Sequence, residues 1–258
     1  FYSDYNTSNG VYAPQFAGNK ADGFVAVCQD CHLRDVSGQG CDPAEEPTTP
    51  IRPDLPLHDM TGGSTWIPQL LAQEYPAYVN SNAASMIAVD AGPDLKVVVT
   101  NECGHKLPTG YPEGRRMWLN VKFYDPSSNL VSESAAYDYG TGVLSLDAEA
   151  KIYEVKPGLD TNLANALELD PGPSFHFVLN NAVFKDNRIP PRGFTNASFA
   201  AFGGAPVDYS YADGDYWDDT YYDIPAGTAY AEVVLYYQST SREFMEFLRD
   251  ENNDPRPN

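Results

Sequence analysis

The hydrophobic pattern of this chain changes its period near residue 94, and that change constrains the fold more than any other feature. Beyond it, segments rich in β-branched and aromatic residues alternate between apolar and polar positions and are bounded by turn residues, which is the pattern of β-strands. The predicted strands are Leu95–Thr100, Met117–Tyr124, Lys151–Lys156, Ser174–Asn180 and Ala229–Gln238. Several strands joined by long connections predict a mainly β fold, with an antiparallel β-sandwich-like domain over residues 94–258.

An amphipathic helix is predicted at the end of this domain, over Ser239–Glu251. Its apolar stripe consists of Phe244, Phe247 and Leu248. Ser241 precedes that stripe and is suited to cap the first turn, because its hydroxyl can accept from a free backbone N–H group.

Residues 1–93 follow a different pattern and predict a small segment that is loop-rich and partly helical. The stretch from Pro43 to Asp59 carries so many prolines that neither a helix nor a central strand can form there. Residues 65–90 carry short apolar stripes typical of helices, interrupted at Pro76. A loop-rich segment of this kind needs something to pack against, and a bound prosthetic group can serve as its core.

Two of the four cysteines and one of the four histidines stand together as Cys28-Gln29-Asp30-Cys31-His32. Two thiols three positions apart can each form a thioether with one vinyl group of a haem. The residue after them then offers its imidazole to the iron. The spacing therefore predicts one covalently attached c-type haem on Cys28 and Cys31, with His32 as an axial ligand.

The same motif admits two other interpretations. A redox-active Cys-x-x-Cys pair opens a helix in a βαβ unit, and no such unit surrounds this one. A structural zinc site requires a second ligand pair at short spacing, which Cys41 and Cys103 do not form. We expect Cys41 and Cys103 to be joined by a disulfide that ties the haem loop to the sheet. Two free buried thiols are the alternative.

The chain offers more candidates for the second axial position than one iron can use. His58 and His105 lie on loops shaped by glycine and proline, which suits ligation. His176 lies within a predicted strand, where a hydrogen-bonded structural histidine is an equal alternative. The methionines are further candidates, at positions Met60, Met86, Met117 and Met245. We predict His105 as the local ligand, because the expected disulfide holds its loop near the haem. His58 is then the donor to a haem on another segment or chain.

Two arginines and one acidic loop are candidate binding groups. Arg115 or Arg116 could hold a haem propionate, since a guanidinium binds a carboxylate at two points; an ordinary ion pair, with Glu113 for instance, is the alternative. Alternating carboxylates on a Gly-containing loop could bind Ca²⁺, which takes about six to eight oxygen ligands, and a solvated acidic turn is the alternative. The carboxylates in question are Asp213, Asp215, Asp218 and Asp219.

The charge and hydropathy of the chain exclude several classes of partner. A formal net charge of -20 over 258 residues argues against nucleic acid and anionic membrane surfaces, because phosphates would be repelled. The sequence contains no run of about 18 apolar residues, so it predicts no membrane-spanning helix. The chain begins without an initiator Met or an apolar leader, and its C-terminal tail completes no pattern. We therefore expect a mature product cut from something longer.

Five strings of the sequence resemble the large multihaem c-type cytochromes of environmental bacteria and archaea. These strings are CQDCHLRDVSGQGC, RPDLPLHDMTGG, GHKLPTGYPEGRRMWLNV, FHFVLNNAVFKDNRIPPRGF and DGDYWDDTYYDIP. The resemblance implies electron transport with haems bound by two histidines. It implies His32 as proximal ligand, and His58 and His105 at positions that match ligands. Members of the family hold several haem motifs and this chain holds one, so we expect a C-terminal piece of a longer cytochrome or a reduced member.

Together these features predict an extracytoplasmic electron carrier: periplasmic, on the cell surface or extracellular. It would be part of a multihaem cytochrome or a cytochrome polymer such as a filament. Its expected partners are other haem-bearing chains or segments and redox proteins. Two other functions stay open. One is a multihaem oxidoreductase acting on a small nitrogen or sulfur compound, which requires an open iron site. The other is a β-sandwich binding or adhesion module with a structural haem, which an exposed aromatic surface would favour.

Overall fold

Strands outweigh helices in this protein, and every strand pairing that the structure describes is antiparallel. The structure, a computed structural model, describes residues 3–6, 10–18, 20–58, 61–63, 66–71 and 75–252. The prediction of a mainly β fold built from antiparallel sheets is therefore confirmed. No helix in these ranges is both long enough and apolar enough to cross a membrane.

The N-terminal part consists of short elements joined by loops. They are a 3-10 turn (Asp4–Asn6), β1 (Val11–Tyr12), β2 (Phe24–Val25), α1 (Cys28–His32), β3 (Asp35–Gln39), β4 (Ile51–Pro56), α2 (Trp66–Leu70) and α3 (Tyr75–Asn82). β1 pairs with β2, and β3 pairs with β4 to form a two-stranded ribbon. β4 carries two prolines and pairs on one side only, which matches the rule that proline is confined to edge strands.

Two larger sheets follow. Their elements, with the short strands and helices between them, are β5 (Ala84–Asp90), β6 (Asp94–Asn101), β7 (Arg116–Tyr124), β8 (Leu130–Ser134), β9 (Tyr137–Asp138), β10 (Val143–Leu144), β11 (Ile152–Tyr153), β12 (Val155–Leu159), α4 (Thr161–Leu167), β13 (Gly172–Pro173), β14 (Ala182–Asp186), α5 (Asn196–Ala200), β15 (Trp217–Asp223), β16 (Tyr230–Gln238) and α6 (Arg242–Asp250). One sheet has the order β15-β6-β5. The other has the order β11-β7-β16, with β8 also paired to β7.

The main core lies between these two sheets. β6 alternates strictly and turns Leu95, Val97 and Val99 inward, where they pack with Leu119 and Val121 of β7 in one buried cluster. The long strands β6, β7 and β16 confirm three of the predicted strands, with strict alternation of burial in β6 and six consecutive buried residues in β7. The packing of two antiparallel sheets around one core agrees with the sandwich-like arrangement.

Two predicted elements are wrong. The segment 174–180 is a turn rather than a strand, because the Ser174 hydroxyl accepts from the His176 N–H (3.0 Å) and the Asn180 amide donates to the Ser174 carbonyl (3.0 Å). Such local bonds compete with a strand ladder. The predicted helical region 65–90 ends in β5, which pairs with β6 along seven residues, so the sheet reaches back across the predicted boundary at residue 94.

The predicted terminal helix is present as α6. The Ser241 hydroxyl accepts a hydrogen bond from the Phe244 N–H at 3.2 Å, so the predicted cap is confirmed. Phe244 and Phe247 lie against Phe175 of the turn, with ring centroids 5.3 and 5.7 Å apart. The apolar stripe of α6 thus packs the helix onto the region that sequence pattern had assigned to a strand.

Candidate functional site

The five motif residues form α1, a single helical turn whose start is stabilised by its own aspartate. The Asp30 carboxylate accepts from the backbone N–H groups of Ala26 (2.7 Å) and Val27 (3.1 Å), and it pairs with Lys20 at 3.2 Å. Burial alone would raise the pKa of Asp30, but these donors hold it below its ordinary value. A charged residue inside the motif therefore fixes the turn that carries both cysteines.

A cavity of about 430 Å³ lies beside α1 and is lined mainly by apolar side chains. Its lining includes Cys28, Cys31 and His32 of α1, and Cys103 and His105 of the loop after β6. The N-terminal part contributes Tyr5, Phe16, Val25 and Val79, and the sheets contribute Met86, Met117, Val233, Leu235 and Tyr237. The size and the lining are those of a site for a large, mostly apolar ligand with a few directed polar contacts.

Two histidines face each other across this cavity. The ring centroids of His32 and His105 are 6.3 Å apart, and the ring planes are inclined by 18°. With a metal–nitrogen bond of about 2.0–2.1 Å, the length of an imidazole–zinc bond, two imidazoles on opposite sides of one metal ion have ring centres roughly 6 Å apart. The spacing of His32 and His105 therefore fits two histidines that would hold one metal ion between them.

The hydrogen bonds of both rings leave Nε2 available to a metal ion. His32 donates from Nδ1 to the carbonyl oxygen of Thr61, and His105 donates from Nδ1 to the carbonyl oxygen of Lys106 at 3.1 Å. A metal-bound histidine typically donates its second ring N–H to such a carbonyl, which fixes its tautomer and orientation. Burial lowers the pKa of His105, so that this ring is held in the neutral form that binds metals.

The thiols of Cys31 and Cys103 are protonated rather than activated. Burial raises the pKa of Cys31 to about 12, with the neighbouring Asp30 and Cys28 adding to the shift, and burial likewise raises the pKa of Cys103 to about 12. A redox-active Cys-x-x-Cys pair depends on a lowered thiol pKa. In the part of the chain that the structure describes, no group of three or more His, Cys, Asp or Glu residues could hold a bare metal ion. Neither alternative interpretation of the motif gains support.

The predicted disulfide is absent, and all four cysteines are free. Cys41 is exposed after β3, with Sγ 2.9 Å from the Thr49 hydroxyl. Cys103 lines the cavity, with Sγ 3.5 Å from the Ala83 carbonyl oxygen. The correction has a physical reason: the ribbon of β3 and β4 carries Cys41 out into solvent, whereas Cys103 packs against the main core.

The two candidate arginines have different environments. Arg116 is buried; its Nε donates to the Gln238 amide oxygen at 2.8 Å, and its guanidinium pairs with Glu243 at 3.4 Å. Arg115 donates to the Thr109 carbonyl oxygen at 2.6 Å, and Thr109 lines the cavity. Of the two, Arg115 bonds a residue that lines the cavity, and Arg116 is committed to an ion pair with Glu243 rather than with Glu113.

A tyrosine beside Arg115 carries a buried hydroxyl with no hydrogen-bond partner among the described residues. Tyr237 lines the cavity, burial raises its pKa, and its hydroxyl is therefore a donor at neutral pH. The Arg115 Nε is also buried and has no hydrogen-bond partner among the described residues. A Cβ at Gly63 would collide with the Tyr237 hydroxyl, and one at Gly110 would collide with the Arg115 guanidinium. The two glycines thus leave space for the Tyr237 hydroxyl and for the Arg115 guanidinium, whose Nη1 already donates to Thr109.

The other two histidines lie away from this cavity. His58 is exposed directly after β4. His176 is half-buried in the turn over residues 174–180, with its ring edge-on to Phe247 at a centroid distance of 5.0 Å. Neither lines the cavity. Among the candidate methionines, Met86 and Met117 line it and Met245 is exposed on α6; Met60 lies outside the described residues.

The four aspartates do not converge, which corrects the suggestion of a calcium site. Asp213 accepts from the Asn196 N–H (2.7 Å) and Asp215 accepts from the Ala212 N–H (2.8 Å). Asp218 is buried and pairs with Lys151 at 2.8 Å, whereas Asp219 pairs with Lys96 at 2.7 Å. Because successive residues of β15 face opposite sides of the sheet, Asp218 and Asp219 point apart, and each carboxylate already has a partner in the protein.

Several residues of the site carry no motif that could have identified them. The Thr61 carbonyl acts through its backbone, which no side-chain pattern reveals. Tyr237 lies two residues after Leu235 and four after Val233 on β16, so alternation along the strand places all three side chains on the cavity side. That alternation gives no sign that the Tyr237 hydroxyl lacks a partner among the described residues.

Comparisons with known proteins give one structural likeness. No protein-family model and no curated protein matches this chain. A solved structure that matches is the crystal structure of a penta-haem cytochrome c552 from Thermochromatium tepidum, at 18% sequence identity and a TM-score of 0.46. The match covers 97% of this chain and 50% of that one, so the chain spans about half the length of that cytochrome.

Proposed function

We propose that this protein is a one-electron carrier with one covalently attached c-type haem, held by thioethers at Cys28 and Cys31 and ligated by His32 and His105. The observation that carries the proposal is the pair of histidines 6.3 Å apart across an apolar cavity whose wall also contains both motif cysteines. A haem bound there would supply an iron that alternates between the ferric and ferrous states.

The residues of the cavity would set the conditions for that exchange. His32 and His105 would hold the iron, each oriented by the hydrogen bond from its Nδ1 to a backbone carbonyl. The apolar side chains around them exclude water, and burial of this kind is one of the factors that set a haem potential. Arg115 and Tyr237 would hold a propionate through the two donors that lack partners in the described part of the chain.

The alternative of a multihaem oxidoreductase requires an iron with an open position. His105 lies opposite His32 at ligand spacing, and this arrangement favours electron transfer over substrate binding at the iron. The binding-module alternative has one observation in its favour: Tyr139 is 74% exposed and contacts the rings of Tyr137 and Tyr236. Retention on immobilised polysaccharide, and its loss in Tyr139→Ala, would support that second function.

We further propose that the molecule works in contact with other haem-bearing chains or segments, outside the cytoplasm. His58 supports this, because it is exposed, lies in a string that resembles the multihaem cytochromes, and is separate from the cavity. It would then donate to an iron on a neighbouring chain or segment, in a multihaem assembly or a polymer. His176, at the surface beside Phe247, is the second candidate for that role.

The central test is covalent attachment with two histidine ligands. Protein produced together with a c-type haem maturation system should keep its haem after denaturation and acid-acetone extraction. Cys28→Ser combined with Cys31→Ser should abolish attachment, and Cys41→Ser is the matched control that should leave it intact. Native protein should be low-spin in both oxidation states, and His105→Ala should become high-spin and bind CO. Haem that washes out of the native protein, or bound zinc in its place, would refute the proposal.

A further inference from the structure

The loop that carries His105 is held by a buried asparagine. Asn101 is the last residue of β6, faces the core and is 1% exposed. Its own N–H donates to the Tyr216 carbonyl oxygen at 2.8 Å, so its backbone stays in the sheet register. The side chain is therefore a fixed point at the position where the strand ends and the histidine loop begins.

Both the oxygen and the nitrogen of the Asn101 side-chain amide form hydrogen bonds with this loop. Oδ1 accepts from the Cys103 N–H at 2.8 Å, the two-residue pattern of an Asx-turn. Nδ2 donates to the carbonyl oxygen of His105 at 2.8 Å, and also to those of Ile189 and Pro190 at 2.9 and 3.0 Å. Since an amide has two donor hydrogens, the three carbonyls share them in one buried cluster. The bonds leave no rotational freedom to Asn101.

The neighbouring hydrogen bonds explain why this bridge matters. Glu102 N–H donates to the Ala83 carbonyl at 3.0 Å, and Leu107 exchanges two hydrogen bonds of 2.9 Å with Ile189. These bonds hold one end of the loop to the residue before β5 and the other end to the segment after β14. Between them, the Cys103 N–H and the His105 carbonyl bind the Asn101 side chain instead of another backbone group.

We propose that Asn101 is the positioning residue that keeps His105 opposite His32. The inference rests on the proposed function, because its consequence is the occupancy of the sixth iron position. A displaced His105 carbonyl moves the imidazole attached to the same residue. Loss of the Asn101 donor would therefore weaken the hold of His105 on the iron, although Asn101 is neither a ligand nor one of the two motif cysteines.

A second asparagine offers a matched control. Asn120 on β7 is 3% exposed, and its Nδ2 donates to the Glu133 carboxylate (2.9 Å) and to the carbonyl oxygens of Ser134 (3.0 Å) and Ala135 (3.3 Å). It clamps a loop as Asn101 does, but that loop does not line the cavity. Replacing either asparagine breaks a buried hydrogen-bond network. The two variants differ because the loop held by Asn101 contains His105, whereas the loop held by Asn120 contains no residue of the cavity.

The experiment compares Asn101→Asp with Asn120→Asp in the haem-loaded protein. Aspartate keeps the Oδ1 acceptor but turns a second carboxylate oxygen toward carbonyl oxygens that had received a donor. Both variants should lose thermal stability. Only Asn101→Asp should convert part of the haem to high spin and allow CO to bind the ferrous form, as His105→Ala does, and added imidazole should restore its low-spin spectrum. Asn101→Ser, which is smaller and uncharged, repeats the test if the aspartate variant does not fold, and should show the same change.

The outcomes separate this inference from the proposed function. If Asn101→Asp or Asn101→Ser stays low-spin and excludes CO while losing stability like Asn120→Asp, the asparagine is structural only and the inference is overturned. If native protein itself binds CO, or if His105→Ala stays low-spin, His105 is not the sixth ligand. The proposed ligation then fails, and the positioning role fails with it.

Discussion

The N-terminal part and the sheets of this protein are built on different principles. The sheets have a core of large side chains, including Leu119, Val121 and Tyr222, each 0% exposed. The buried cluster of the N-terminal part is small and consists of Tyr5, Val11, Ala13, Phe16, Ala17, Val25 and Val79. The paired strands there are two residues long in β1 and β2, and the ribbon of β3 and β4 is half-exposed or exposed.

The cavity lies where these two clusters meet. Phe16, Val25 and Val79 of the small cluster line it, as do Leu107 and Met117 of the large one. A group that filled the cavity would bury apolar surface of both clusters at once. The comparison therefore indicates that the sheets can fold on their own side chains, whereas the N-terminal part would depend on the proposed haem for most of its core.

The largest expected effect follows from removing the cofactor. In the double variant Cys28→Ser, Cys31→Ser, amide protons of β2 and α1 should exchange nearly as fast as in an unfolded chain, because their packing partner is missing. Amides of β6 and β7 should stay protected. Hydrogen exchange followed by mass spectrometry resolves the two regions, and Cys41→Ser serves as the control with haem attached. Equal protection of both regions in the haem-free protein would show that the N-terminal cluster is sufficient without a cofactor.

The next effect compares a buried with an exposed ion pair. Lys106 (7% exposed) lies 2.7 Å from Asp186 (5% exposed), and Arg188 binds the same carboxylate at 2.8 Å. Burial alone would raise the pKa of Asp186, but Arg188 and Lys106 hold it below its ordinary value. Asp186→Asn leaves two cations without their counter-ion and should cost about 3–5 kcal/mol of unfolding free energy at pH 7. The half-exposed pair of Lys20 and Asp30 should contribute about 0–1 kcal/mol.

The pH dependence of that ion pair has a defined sign. A carboxyl whose folded pKa is lowered contributes stability that is fully present above its ordinary pKa, near about 3.9. The contribution is lost as the pH falls through the folded value. Urea unfolding from pH 7 down to pH 3 should therefore show a loss of stability below about pH 4 that is smaller in Asp186→Asn. Identical acid slopes for the native protein and the variant would contradict the assignment.

A smaller effect is expected from truncating the core of the sheets. Leu119 lies on β7 and is 0% exposed, so Leu119→Ala should lower the unfolding free energy by about 2–5 kcal/mol. Because Leu119 does not line the cavity, the haem spectrum should stay unchanged. Val25→Ala, in the small cluster and at the cavity wall, should cost less stability but alter the spectrum. A spectral change in Leu119→Ala of the same size would mean that the two regions are not separable.

The difference between the regions also explains how far the sequence could predict them. The strands β6, β7 and β16 were predictable, since each is a run of eight or nine residues rich in β-branched and aromatic side chains. Burial alternates strictly in β6, whereas the first six residues of β7 are all buried. β5 was predicted as helix because its short apolar run fits either structure, and only pairing with β6 decides the matter. The turn at Ser174–Asn180 has a strand-like alternation that local hydrogen bonds override.

In the candidate site, too, some residues could be predicted from the sequence and others could not. The Cys28–His32 motif could be proposed as a haem site from five residues, because covalent attachment of a haem requires a fixed spacing. The pairing of His105 with His32 was predicted through a disulfide that does not form. The structure instead brings the two rings together through the loop that Asn101 holds. Contacts such as those of Asn101, Tyr237 and the Thr61 carbonyl join positions far apart in the chain, and only tertiary structure can supply them.

The smallest expected effect concerns the two ways in which helices begin in this chain. α6 begins with a side-chain cap, in which the Ser241 hydroxyl accepts from the Phe244 N–H. α1 has no such cap at Val27, and its start depends on Asp30. Ser241→Ala should lower the unfolding free energy by about 1 kcal/mol, the usual cost of losing a cap, with increased exchange confined to α6. Because α6 packs on Phe175 and does not line the cavity, the haem-loaded variant should keep its spectrum.

The same hydrogen-exchange measurement on Asp30→Ala should show faster exchange of the α1 amides only when haem is missing, since thioethers at Cys28 and Cys31 would hold the turn in the loaded protein. Equal exposure of α1 with and without haem would mean that the side chain of Asp30, rather than the cofactor, maintains the motif.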